Sequence, residues 1–265
     1  NPQISSPKRI PLYGEVMSAR WAYEGLATYQ FINNDYRRHF YPWEKVMSNA
    51  SFKSNFHIKE LQNKLALIER DLENEETNVE KAFALLRNEI RDEYEERMIL
   101  HGYYEAAPTY FLKEVDELYP DLANEQVLTL TEEYLQALKD FYSETYRVAY
   151  AQKNRITEQF DLELLKQLER NHSNEKLEEF VTNKNVFERI TEYRGNLIQK
   201  YDPIYSDPTH KFLKAHFYAP RKMVFGSFMP TIWVNVIVIW FMTVILYILL
   251  YYRVLKRILD HAERI

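Results

Sequence analysis

Residues 223–252 form a run of 30 positions without a formal charge, and 232–252 are almost wholly apolar. At about 1.5 Å per helical residue the 21 positions of 232–252 span roughly 30 Å, the hydrocarbon thickness of a bilayer. A buried helix of a soluble core is seldom so long or so uniformly apolar, so the run reads as a membrane span. Trp233, Tyr251 and Tyr252 lie near its ends, where amphipathic rings prefer the headgroup zone, and Arg253, Lys256 and Arg257 follow as a basic anchor. Lys211, Lys214, Arg221 and Lys222 make the preceding flank basic too. The long segment upstream crosses largely regardless of its charge, and the reading places the C-terminus in the cytoplasm. At 100° per residue Thr231, Asn235 and Met242 share one face, and Trp233, Trp240, Tyr247 and Tyr251 share the other. Asn235 therefore either meets neighbouring helices or reaches headgroup water. No ionisable group lies inside the run, so a proton relay or ion pathway is not indicated there.

The overall charge of -5 conceals a division. Residues 51–200 hold 20 Lys and Arg against 31 Asp and Glu, a net of -11, while the flanks hold 14 against 8, a net of +6. An acidic, water-facing middle sits between basic segments. The absence of cysteine excludes a disulfide scaffold, a Cys-ligated metal and a thiol nucleophile. Only 5 glycines argue against an α/β nucleotide-binding domain, whose loops must bring backbone close to phosphate. The chain starts at Asn1 without a signal-peptide pattern, which suggests a piece of a longer protein.

Within the middle, Ile58, Leu61, Leu65, Ile68 and Leu72 recur at steps of 3 and 4, and Val79, Phe83, Leu86, Ile90 and Tyr94 resume the pattern. That spacing predicts an amphipathic helix of about 40 residues, with Glu73 to Glu76 as a break or solvated turn. A turn-rich aromatic stretch over 102–120 follows, with a short helix at 111–118. A second long helical pattern runs through Leu130, Tyr134, Leu138, Phe141, Leu164, Leu165 and Leu168, with Thr131 as a plausible start. Shorter helices at 176–181 and 186–193 complete an antiparallel hairpin or small bundle. The fold class read from these patterns is all-α: a long-helix hairpin or bundle followed by one C-terminal membrane helix. The heptad pattern is too irregular to demand a long coiled coil.

Motifs for chemistry are lacking. The 7 histidines form neither His-x-x-x-His nor His-Glu-x-x-His, and no Gly-x-Ser-x-Gly or Gly-x-x-x-x-Gly-Lys-Ser/Thr occurs. Glu73, Glu75 and Glu76, and Asp92, Glu93, Glu95 and Glu96 with Arg91 and Arg97, read as solvated helix faces. Asn49-Ala50-Ser51 and Asn171-His172-Ser173 fit the N-glycosylation pattern. Residues 11–33 are aromatic and weakly polar, with Arg20 and Glu24 spaced i,i+4 as their one internal ion-pair candidate; such a helix suits an interface, a shallow membrane re-entry or an ordinary amphipathic packing.

The string Arg20-Trp21-Ala22-Tyr23-Glu24-Gly25-Leu26, with Gln30-Phe31 and Asn33, resembles the pattern after the fifth membrane helix of G-type ABC exporters, most closely bacterial proteins of Bacteroidetes type that join an ATP-binding cassette to the permease. The return Lys211-Phe212-Leu213-Lys214-Ala215-His216-Phe217-Tyr218-Ala219-Pro220-Arg221-Lys222 is similar to the lead into their last membrane helix. The resemblance covers both flanks well and the middle loosely. It departs from eukaryotic members in a longer external insertion and in lacking the cysteines that often staple it.

The resemblance implies a re-entrant or interfacial region at 1–33, an acidic extracytoplasmic helical domain at 34–200, an aromatic return linker at 201–229, a membrane helix at 230–252 and a basic cytoplasmic tail at 253–265. It implies a bacterial inner-membrane, multi-pass parent working as a homodimer, with the lipid bilayer, the other membrane helices and the nucleotide-binding domain as partners, and no nucleic acid. ATP and magnesium belong to that missing domain; no cofactor, metal or catalytic residue is expected in this part, which is not itself an enzyme. Arg20, Trp21, Glu24 and Asn235 are the structural or gating candidates, and the external domain caps or gates the exit. The alternative is a C-terminally anchored helical tethering, fusion or scaffold protein.

Overall fold

The 3- and 4-residue spacing sets the main helices. A computed structural model describes residues 10–71, 77–99, 111–208 and 212–254. Ile58, Leu61, Leu65 and Ile68 line one buried face of α4 (Ile58–Asp71), and Val79, Phe83, Leu86 and Ile90 line one of α5 (Thr77–Ile99). The two halves of the pattern form separate helices that pack on each other; the positions between them, including Glu73, Glu75 and Glu76, lie outside the described residues. The start of α6 (Glu125–Gln159) closes this distal core with Val127, Leu128, Leu135 and Leu138.

Upstream come α1 (Leu12–Glu15), α2 (Ser18–Asn33) and α3 (Tyr41–Phe52), the last joined to α4 by a π-turn at Lys53–His57. The 35-residue α6 starts one and a half turns before Thr131, because Asn124 caps it by accepting from the Val127 N–H at 3.0 Å. Thr131 sits inside the helix with its hydroxyl turned back on the Val127 carbonyl, so it does not start anything. Asp161 then accepts from the Glu163 and Leu164 N–H groups, ending the long helix and opening α7 (Leu162–His172). Asn174 caps α8 (Glu175–Thr182) in the same manner.

Residues 186–193 are not a helix. Ile190–Tyr193 (β1) pairs antiparallel with Asn196–Gln199 (β2), Ile190 opposite Gln199, around Arg194 and Gly195 at φ 52° and 74°. A two-residue turn with positive φ at both positions matches strand twist, and a glycine at its second place outweighed a helical reading of the short apolar pattern. A second hairpin, Arg221–Val224 (β3) with Ser227–Pro230 (β4), turns at Phe225 and Gly226. The molecule is therefore mostly helical with two small hairpins, not strictly all-α.

A second core lies at the other end. Ala27 and Phe31 of α2, Tyr41 of α3, Val181 of α8, and Ile204 and Tyr205 of the return segment pack together. The rings of Phe31, Tyr41 and Tyr205 lie 5.5 to 6.5 Å apart. The second half of α6 packs along α3, which supplies Tyr41 to the second core, and its Lys153 reaches Glu44 at 2.8 Å. From β4 the chain enters α9 (Thr231–Tyr251), a helix long and apolar enough to cross a membrane. Only Thr231, Val234 and Asn235 of it are buried. Trp233, Trp240, Tyr247 and Tyr251 are exposed on the aromatic face, which is the opposite of what a soluble core helix shows.

Candidate functional site

Helix α2 turns Trp21, Glu24, Gly25, Ala27, Thr28 and Phe31 inward. The first three meet α9. A Cβ on Gly25 would lie 3.2 Å from Ile232 Cδ1 and 3.4 Å from Asn235 Cβ, so the missing side chain sets how closely the two helices approach. Asn235 lies beside Trp21 and Glu24 while Ile232 lies beside Gly25, so α2 runs opposite to α9.

Four donors and acceptors from three chain segments converge here. Asn235 Nδ2 donates to the Trp21 carbonyl at 2.9 Å and to Glu24 Oε2 at 3.0 Å. Lys222 Nζ, reaching in from β3, donates to Glu24 Oε2 at 2.7 Å and to Asn235 Oδ1 at 3.0 Å. Arg20 Nη1 donates to the same Glu24 oxygen at 2.9 Å, and its other amino group pairs with Glu15. The Trp21 ring lies 3.7 Å from the Arg20 guanidinium and 4.4 Å from Lys222 Nζ, and its Nε1 donates to the Glu15 carbonyl at 2.8 Å. Glu24 is fully buried, and its second oxygen, Oε1, has no hydrogen-bond partner among the described residues. Burial pulls the Lys222 ammonium below its ordinary pKa, and the Glu24 carboxylate opposes that pull.

The strand that supplies Lys222 points its neighbour the other way, as alternation along a strand requires. Arg221 forks onto Asp207 at 2.7 and 2.6 Å, and Lys45 of α3 adds a third contact at 2.6 Å. Burial alone pushes the Asp207 carboxyl up, but Arg221 and Lys45 together hold it below the usual carboxylate range. Strand β3 is thus tied through Arg221 to Asp207, which Lys45 of α3 also holds, and through Lys222 to the α2–α9 pair. Thr231 closes the joint, its hydroxyl donating to the Ala219 carbonyl at 2.5 Å.

All four residues singled out from the sequence, Arg20, Trp21, Glu24 and Asn235, meet in this cluster. Asn235 meets a neighbouring helix, α2, rather than headgroup water, and Thr231 finds its partner in the return segment. Lys222 was missed as a site residue: in the sequence it is one of four flank cations, and nothing in the spacing separates it from the rest. The solvated-face reading also fails at Glu93 and Arg97, which are each 1% exposed. They sit on the inner face of α5, where Tyr142 donates to Glu93 at 2.7 Å and Arg97 lies 3.2 Å from it. One turn earlier Glu89 bridges His57 at 2.7 Å and the Leu197 N–H of β2 at 2.6 Å. Of the glycosylation patterns, Asn49 is tied to the Tyr205 carbonyl at 3.1 Å, whereas Asn171 is exposed at the end of α7.

The one amine of the Glu24 cluster, Lys222 Nζ, is tied to Glu24 and Asn235, and among the described residues no group of His, Asp or Glu is arranged to hold a metal ion. Its chemistry is that of a lock: two carboxylates and two cations, balanced in charge, hold three segments together. Comparison with protein-family models, with curated proteins and with solved structures returns no match for this chain.

Proposed function

We propose that the chain is the external domain and last membrane helix of the permease part of a G-type ABC exporter, on the resemblance of residues 20–33 and 211–222. The observation that supports it most is the meeting of Glu24 with Arg20, Lys222 and Asn235, because it joins both resembling flanks to the membrane helix. Under this reading α2 is the re-entrant element and the helical domain caps the exit. Movement of the domain is felt by α9 through β3, since Arg221 and Lys222 are adjacent in sequence and anchored on opposite sides. The ATP that drives transport is hydrolysed by a domain outside these residues.

The test is topological and then functional. Val148, exposed on α6, is replaced by cysteine in the cysteine-free chain and treated in intact cells with a membrane-impermeant thiol reagent. Labelling is expected; protection until the membrane is opened overturns the exporter reading and leaves the tethering alternative. In the parent exporter, Glu24→Gln and Lys222→Met should each abolish transport, whereas the double substitution removes both buried charges, leaves Arg20 paired with Glu15, and recovers part of it. Identical loss in all three variants rejects the pair as a working element.

A further inference from the structure

We infer that Tyr23, Phe217, Tyr218 and Trp233 form an aromatic collar that seats on lipid at the headgroup boundary near the Thr231 end of α9. The inference rests on α9 crossing the membrane and is independent of what the protein transports.

Height along α9 fixes the collar. Trp21 and Gly25 of α2 flank Tyr23 and lie beside Asn235 and Ile232, so Tyr23 stands level with Trp233. Tyr23 is 49% exposed and Trp233 60% exposed, on surfaces away from the α2–α9 contact. Phe217 and Tyr218 both bring their rings to 6.3 Å from Tyr23, and the Tyr218 hydroxyl donates to that of Tyr23 at 3.4 Å. Four rings from three segments therefore occupy one layer. Rings with an apolar body and a polar tip settle where hydrocarbon gives way to headgroups.

The other end of α9 supplies the scale. Tyr247 and Tyr251 stack at 6.3 Å, and Tyr252 packs on Tyr251 at 5.1 Å. From Trp233 to Tyr251 the helix rises about 27 Å, which matches one hydrocarbon core between two aromatic levels. Val16 and Met17, which precede α2, lie beyond the collar along α9 and are 71% and 55% exposed. Backbone strain points the same way. Tyr218 is held at φ 68°, a region costly for any residue with a Cβ. Packing against the proximal core holds that conformation, and it brings two adjacent rings to Tyr23.

Nitroxide depth measurements test this. Single cysteines replace Met17, Tyr23, Val148, Phe217, Trp233 and Ile245 in the full chain, reconstituted in phosphatidylethanolamine–phosphatidylglycerol vesicles. Collision with oxygen is compared with collision with a water-soluble nickel chelate. Positions 23, 217 and 233 are expected at one depth within about 5 Å, one helical turn, with 17 and 245 deeper and 148 fully aqueous. Should Tyr23→Cys disturb the ring contacts, a label at exposed Leu26 reads the next turn without removing a ring. Nickel access at 23 and 217 equal to that at 148 overturns the collar, and so does protection of both from either collider, which means protein covers them. Nickel access at 245 instead rejects α9 as a span, a failure distinguishable from the first two.

Discussion

Both ends of the molecule bury charge, but they do so differently. In the distal core, Glu93 and Arg97 are four residues apart on one helix, and Tyr134 and Tyr142 of α6 complete their hydrogen bonds. Any state in which α5 and α6 pack contains that network. At the end that carries α9, Glu24 is on α2, Lys222 on β3 and Asn235 on α9, with partners up to 211 positions apart. The first network specifies how a core is assembled; the second is a joint between parts that sequence keeps far apart. A buried ion pair is a poor source of net stability in either place, because desolvation offsets the attraction, yet breaking one leaves a stranded charge.

Truncating one partner sharpens that comparison most. Glu93→Ala and Glu24→Ala should each cost about 3–5 kcal/mol. Glu93→Ala lowers the cooperative melting of the helical domain by circular dichroism. Glu24→Ala instead should leave that melting nearly unchanged and increase the α2–α9 separation measured between spin labels at Leu26 and Trp233. Equal melting losses in both variants would erase the distinction.

Next in size is Gly25→Leu. A bulky side chain there drives against Ile232 and Asn235, and overpacking costs about 1–3 kcal/mol. It should widen the same label distance while leaving the distal core untouched in hydrogen exchange.

Acid offers a third handle. The Asp207 carboxyl has a folded pKa below its unfolded value near 3.8, so its contribution is complete above that value and is lost as pH falls below it through the lowered folded pKa. Asp207→Asn, which removes charged hydrogen bonds of about 2 kcal/mol, should flatten this acid-side loss. Stability against pH from 5 to about 2, compared between wild type and variant, reads the effect; parallel curves reject it.

The smallest expected change is Asn124→Ala, which removes the cap of α6 at a cost of about 1 kcal/mol, confined to the distal end. Amide exchange should rise over the first turn of α6 alone.

What could be read in advance follows the range of the interactions. The apolar steps of Ile58 to Ile68 and of Val79 to Ile90 are local, and they declared α4 and the start of α5. The uncharged run declared α9. Even the inward face of α9 was visible, since Thr231 and Asn235 were the polar positions in phase. Hairpin β1–β2 was missed because four-residue strands carry too few alternations to outvote a helical pattern, and its deciding feature is a turn at Arg194 and Gly195. Glu93 and Arg97 were assigned to water because charge type was weighed above helical phase: they fall on the same face as Leu86 and Ile90. Lys222 was the hardest, because its meaning resides in Glu24, 198 residues away.

The length of α6 has a mechanical meaning. Its 35 residues make a rod of about 52 Å that is packed at one end along α3, whose Lys45 holds Asp207, and at the other inside the distal core. A tilt of about 5° at the base sweeps the far end through roughly 5 Å, nearly the width of a helical turn. Contact with the distal helices thereby acts on the base with the advantage of a long arm, and a small rotation of α3 is magnified in the opposite direction.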